Sequence, residues 1–276
     1  MQIKYTCTSW GYEKLDAAAL IDKIVDAGYG GIEVNMPVGG AFPGEFMTSY
    51  QALLKSKPGF IFIVQQLVNP DNESVEAYIH KLEKRLLEVV AYQPHFINSH
   101  TGKDHYSFDD NCRAIEAALN ISAKTGMRIL HETHRGRFSF HASTLLPYLE
   151  KFPEMELVGD FSHFCTVSES MLDDQQAILD QIISHVAHLH ARVGSEQAPQ
   201  VNDPFAPEWA SHLERFAGWW DQIIAYHQSK GAKEFTITPE FGPAPYMPVM
   251  AFTQKPLSDQ WATNLKMRDF LTRRQG

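Results

Sequence analysis

Cysteine is scarce in this chain. Its 276 residues include three, Cys7, Cys112 and Cys165, far apart and in no CxxC pair. That excludes a disulfide framework and a thiolate zinc site, and an odd count suits reduced thiols. Positive charge is also short. A formal net charge of −9 argues against non-specific binding to nucleic acid or to an anionic membrane. No apolar run approaches the length of a membrane span. A strand-like run begins at residue 3, so no signal peptide is expected and a cytoplasmic location is read. Neither a Walker-type loop nor a glycine-rich phosphate cradle is present, which favours an unphosphorylated substrate.

What is there is ordinary globular material. Hydrophobic residues make up 44% and charged residues 21%, enough for a sizeable core. Short apolar runs alternate with helical patterns throughout. The strand-like runs are residues 3–8, 31–35, 60–64, 96–99, 127–130, 155–158, 186–189 and 234–239. Between and after them, apolar residues recur at helical spacing over 16–27, 46–54, 71–92, 108–125, 142–152, 169–184, 208–230 and 257–272. Continuous apolar strands call for a parallel sheet buried on both faces. Eight strand–helix units at this length close into a single α/β domain, a (β/α)8 TIM barrel spanning residues 1–276. The polar, proline-containing connection 194–207 is long for such a barrel and reads as a lid, a binding loop or a subunit contact, and 243–256 reads as another proline-rich loop.

In such barrels the site forms where the carboxyl ends of the strands meet. The polar residues at those ends are Trp10, Glu33, Asn35, Gln65, Gln66, His100, Glu132, His134, Asp160, His163, His190, Arg192 and Glu240. Four of them, Glu132, Asp160, His190 and Glu240, close four successive strands. Taken singly, each has a bland reading: a strand-end carboxylate often caps the next helix, and a lone histidine is more often a hydrogen-bonded structural residue. Four in equivalent positions are expected to converge on one divalent cation. Three carboxylates and an imidazole suit Mn²⁺, Mg²⁺, Co²⁺ or Zn²⁺, with Mn²⁺ favoured. His134, two past Glu132, is read as pointing to the same side. His100 and Trp10 are read as lining the pocket. His131 and His188 are read as facing away from the site. Arg135 and Arg137 are read either as grips for an anionic substrate or as surface ion-pair partners. Trp209, Trp219, Trp220 and Phe161 are read as packing.

These motifs resemble the xylose isomerase-like barrels, a superfamily of sugar isomerases and epimerases that also includes endonuclease IV. The resemblance runs along the whole chain in strand order. Its most specific parts are Glu132, the Asp-x-x-His of Asp160 and His163, the His-x-Arg of His190 and Arg192, and the Pro-Glu-x-Gly around Glu240. It implies that Glu132, Asp160, His190 and Glu240 hold one metal, that the two glutamates pass protons, and that His163 and Arg192 contact substrate hydroxyls. The expected activity is isomerisation or epimerisation of a sugar, polyol or keto-acid by proton transfer through a metal-stabilised enediolate. A lyase, dehydratase or hydrolase on the same ligands is the alternative. A DNA-repair nuclease fits less well, because Gln65-Gln66 stands where that branch has a ligand histidine. A non-catalytic sugar-binding barrel ranks last. The expected partner is a small sugar-like molecule, with a homo-oligomer left open.

Overall fold

A computed structural model describes residues 1–68 and 71–275. Eight strands, β1 (Gln2–Thr8), β2 (Gly31–Asn35), β3 (Ile61–Gln66), β4 (Phe96–Ser99), β5 (Ile129–Glu132), β6 (Leu157–Gly159), β7 (Val186–Ala191) and β8 (Glu234–Pro239), follow one another around a closed barrel. Every pairing is parallel, and β8 returns to β1 through the register Gln2↔Glu234 to Tyr5↔Ile237. The helices are α1 (Ala17–Asp26), α2 (Phe42–Leu54), α3 (Val75–Val90), α4 (Phe108–Thr125), α5 (Ala142–Lys151), α6 (Ser162–Ser168), α7 (Gln176–Ile183), α8 (Ala210–Ser229) and α9 (Gln260–Gln275). No helix among the described residues is long and apolar enough to cross a membrane.

The two-residue period of a strand sorts its side chains between the barrel interior and the helices. On β3, Phe62 and Val64 face out and pack with Phe46 and Tyr50 of α2, while Ile61 and Ile63 face in. The inward set continues with Phe96, Leu130 and Val158, a small apolar plug separate from the two larger clusters between strands and helices. Two residues further along the same strands come Asn98, Glu132 and Asp160. The alternation that fills the barrel floor with hydrocarbon therefore delivers polar groups to its mouth.

Local chemistry explains the boundaries. Asp16 caps α1, Ser74 caps α3 and Ser107 caps α4, each accepting from the backbone N–H three residues on. Gly126 ends α4 in the left-handed conformation at φ 72°. One expectation fails here: residues 169–184 do not form a single helix. The chain winds directly after Asp160 into α6, stops at Glu169 with φ 46°, and restarts as α7.

Segment 194–207 also differs from a free-standing lid. Gly194, Ser195, Gln200 and Val201 are buried. The Gln200 carboxamide donates to the Gly242 carbonyl at 3.1 Å and accepts from its N–H at 2.6 Å, tying this connection to the one after β8. Trp219 and Trp220 are buried in the core, and Phe161 packs on Phe164 and Trp219, as read from the sequence. Phe62, with no exposed surface, is the keystone between β3 and α2. Phe62→Ala is expected to lower unfolding free energy by about 3–5 kcal/mol, read as a shifted midpoint with unchanged slope in urea denaturation.

Candidate metal centre and substrate cavity

Glu132 is the last residue of β5 and is buried. Its Oε2 accepts from Asn98 Nδ2 at 2.7 Å and lies 2.9 Å from His100 Nε2. Burial opposes its charge, but His100 and then His190 outweigh burial and hold the carboxyl well below its usual range. Asp160 follows β6. Its Oδ1 accepts from the Ser162 N–H at 3.0 Å and hydroxyl at 2.5 Å, starting α6, while Oδ2 accepts from Arg192 Nε at 2.9 Å. One oxygen of this carboxylate thus holds the first residue of α6 while the other is held by Arg192. Burial raises the Asp160 carboxyl; Arg192 works against that and Glu240 with it.

His190 and Arg192 lie two residues apart at the end of β7, so both reach the mouth. The Arg192 guanidinium bridges Asp160 and Glu240. It sits 4.7 Å from the Tyr246 ring centroid and 5.4 Å from that of Trp10. Trp10 is seated by Gly242: a Cβ there would lie 2.2 Å from the indole. Glu240 comes directly after β8, with Oε2 2.7 Å from His190 Nδ1.

The four residues read from strand ends do converge. One ligand atom from each of Glu132, Asp160, His190 and Glu240 lies within 4.8 Å of all the others. The His190 ring tests whether a cation fits between them. Its Nε2 faces both oxygens of Glu33, at 3.0 and 3.2 Å, which places the proton on that nitrogen. Nδ1 points at Glu240 and, 3.8 Å away, Glu132, without an aligned hydrogen bond to either; whenever it carries no proton, its unshared pair faces both. A lone pair aimed at two carboxylates is repulsive unless positive charge lies between them. Burial works against an imidazolium, yet Glu240, Glu33 and Glu132 hold His190 well above its usual range, so without an ion a proton on Nδ1 supplies that positive charge, in the place an ion would take. The cluster therefore draws a cation to this point. With no thiolate among the donors, a hard or borderline divalent ion suits it.

A cavity of about 320 Å³ opens above the cluster. His100, His134, Arg192, Trp10, Glu132 and Glu240 contribute to its lining. The histidines stack: His100 on His134 at 4.5 Å between centroids, and His134 on His163 at 3.9 Å. His163 is fully buried behind His134 and is not part of the cavity lining. Burial holds the His134 and His163 imidazoles well below their usual range, which keeps them neutral. His131 turns outward as expected and pairs with Thr101 at 2.8 Å.

His188 corrects the sequence reading. It lies two residues before His190, on the same inward face, with Nε2 3.0 Å from Thr238 Oγ1 and 3.6 Å from Glu33. Counting the strand period from His190 would have placed it there. Glu33, a strand-end residue to which sequence alone assigns no role, also faces the cluster. Its carboxylate accepts from Asn98 at 2.9 Å and Thr238 at 2.9 Å besides facing His190. A glutamate between Ile32 and Val34 in a buried strand was the available signal. Tyr246, whose hydroxyl lies 3.3 Å from His134 Nε2, sits in an aperiodic loop and carried none.

No family model matches the sequence, and no curated protein matches it. Solved structures do. A xylose isomerase domain-containing protein of Salmonella typhimurium LT2 superposes with a TM-score of 0.64 at 12% identity, covering 98% of this chain and 96% of that one. A xylose isomerase-like TIM barrel protein of Mycobacterium smegmatis, in complex with magnesium, gives 0.61 at 11% identity over 98% and 95%. The probable 3-DHS dehydratase AsbF of Bacillus anthracis, involved in petrobactin synthesis, gives 0.61 at 18% identity over 88% and 94%. At these identities the likeness shows the fold alone: the chain is a (β/α)8 TIM barrel, similar to those of xylose isomerase-like proteins.

Proposed function

We propose that the protein is a divalent-metal-dependent isomerase or epimerase of a small sugar-like polyol or keto-acid, working by proton transfer next to a carbonyl. The observation that carries this is the meeting of Glu132, Asp160, His190 and Glu240 beneath the cavity, with His190 Nδ1 aimed at the carboxylates. These four residues would hold the ion, with Mn²⁺ favoured and Mg²⁺, Co²⁺ or Zn²⁺ also suited. When bound, the ion supplies Lewis-acid polarisation of a carbonyl and its neighbouring hydroxyl. Everything else falls to the protein. Glu132 takes the proton beside the carbonyl and Glu240 returns one from the other side, or the reverse. His100 and Asn98 hold Glu132 in place, and Arg192 neutralises part of the carboxylate charge. Trp10 and Tyr246 offer apolar surface to a sugar face beside Arg192. The cavity volume suits a small molecule rather than a nucleic acid strand.

A panel of ketoses, aldoses, cyclitols and keto-acids in D₂O with Mn²⁺ tests the proposal. Deuterium uptake at the carbon next to the carbonyl is the expected result; none on any substrate class would remove proton transfer from the reading. Dehydration is the second reading, favoured by the likeness to a probable 3-DHS dehydratase. It begins with the same proton removal and would reveal itself by loss of water and an absorbing conjugated product.

Metal removal has its own expected outcome. An ion at a hundred times its Kd stabilises the fold by about 2.7 kcal/mol. Chelation should therefore lower Tm by about 5–10 °C for a chain of this size, and Mn²⁺ or Mg²⁺ should restore it. A Tm indifferent to both ions, in scanning calorimetry, would leave the cluster without a metal.

A further inference from the structure

Two buried cations beside the cavity form no ion pair among the described residues. Lys103 is 4% exposed and Arg137 8% exposed, and neither Lys103 Nζ nor Arg137 Nε has a hydrogen-bond partner among the described residues. The other buried arginines differ: Arg192 is matched by two carboxylates, and Arg85 by Glu88 and the Met36 carbonyl. The acids whose charge reaches Lys103 pair elsewhere: Asp71 and Glu73 with Lys81, at 2.5 and 2.7 Å, and Asp104 with His105, at 3.2 Å.

Both cations are held firmly. Lys103 follows the His100-Thr101-Gly102 end of β4; its ammonium lies 4.9 Å from the Tyr78 ring centroid. Arg137 stands in the turn after β5, with its N–H bonded to the His134 carbonyl at 3.1 Å, and it lines the cavity beside His100, Glu132 and His134. Burial and the neighbouring Arg137 charge push the Lys103 ammonium down to about 8, against the more distant pull of Glu73, Asp104 and Asp71. Two like charges kept together out of water, with idle donors, are costly unless an anion joins them. A guanidinium presents a fork that matches an oxyanion in two-pronged fashion.

We propose that Arg137, backed by Lys103, is an oxyanion anchor, so that the substrate is an acid: a keto or hydroxy compound whose carboxylate or phosphate docks here while its reacting carbon faces the four-ligand cluster. The word "substrate" rests on the function proposed above; the anion site does not. It also separates Arg137 from Arg135, which is exposed and lies against the Tyr246 ring at 5.0 Å.

Malonate and inorganic phosphate are the probes, titrated calorimetrically into the full chain after chelation, so that neither can bind through a metal. Saturable binding of one of them is expected, and which one distinguishes carboxylate from phosphate. Arg137→Met should weaken it at least tenfold and Lys103→Met by less. Arg137→Lys keeps the charge without the fork and should also weaken it, which covers the case of a poorly folded Met variant. Mn²⁺ affinity should stay unchanged in all three variants. Absence of saturable binding by either anion, or binding indifferent to Arg137→Met and Arg137→Lys, overturns the anchor. Turnover of neutral ketoses with no preference for acids would overturn it too while leaving the proposed isomerase standing. Anion binding without deuterium exchange on any substrate would do the opposite.

Discussion

Glu132→Gln is expected to reduce turnover by about 10²–10⁴-fold, the range for losing a positioned general base, while the protein stays folded. The carboxamide has nearly the same shape. Its oxygen can still accept from Asn98 Nδ2 and His100 Nε2, the two donors that hold Glu132 Oε2 at 2.7 and 2.9 Å. What it loses is the negative charge and the ability to take a proton. Glu132 is held ionised against burial by His100 and His190, so removing the charge relieves a desolvation cost but loses the larger attraction to those rings. Stability of the metal-free protein should therefore fall modestly while the fold is kept. The measurement is deuterium exchange under saturating Mn²⁺, with metal content determined in parallel. Full activity at saturating metal would confine Glu132 to holding the ion. Lost activity with the ion in place makes it the base. Glu240→Gln is the companion variant. It also removes the carboxylate that Arg192 and His190 both address, so its effect on metal affinity should exceed that of Glu132→Gln.

The parts of this site that could be read from the chain are those tied to strand ends. Glu132, Asp160, His190 and Glu240 each close an apolar run, and barrel closure forces the ends of such runs together. No tertiary detail is needed for that step, because the geometry belongs to the fold. The same logic covers His100, His134 and Arg192, all of which line the cavity. It overreaches with His163, which belongs to α6 and turns behind His134. It falls short wherever a residue reaches the site from a loop. Tyr246, Arg137 and Lys103 lie in connections without period, and their directions are set by packing that no spacing rule encodes. The break between α6 and α7 escaped for a related reason. Residues 169–184 carry apolar side chains at helical intervals, but Asp160 starts a helix earlier by accepting from Ser162, and the chain turns at Glu169 before α7 begins.

Glu33→Leu is expected to weaken Mn²⁺ binding by about 10–100-fold although Glu33 is not one of the four proposed ligands. The carboxylate faces His190 Nε2 at 3.0 Å and fixes the tautomer in which Nδ1 offers its lone pair to the cluster. Despite burial, the positive character of His190, the nearby His188 ring and the hydrogen bond from His190 hold its carboxyl far below the usual range. It therefore stays charged and makes His190 a better donor to a cation. Leucine removes that charge and leaves the Asn98 amide, the Thr238 hydroxyl and the His190 N–H without their acceptor. Each buried donor left alone costs about 1–3 kcal/mol, so a lower Tm is expected as well. Glu33→Gln separates the two effects. It keeps an oxygen for Asn98 or Thr238 but not the charge, and should recover much of the stability with less of the affinity. Competition against a chelator of known strength reads the affinity, and calorimetry of the metal-free variants reads the fold. An unchanged Kd in Glu33→Gln beside a reduced Tm would make Glu33 a structural brace between β2, β4 and β8. A weakened Kd at near-native Tm would place it in the metal centre, acting through His190.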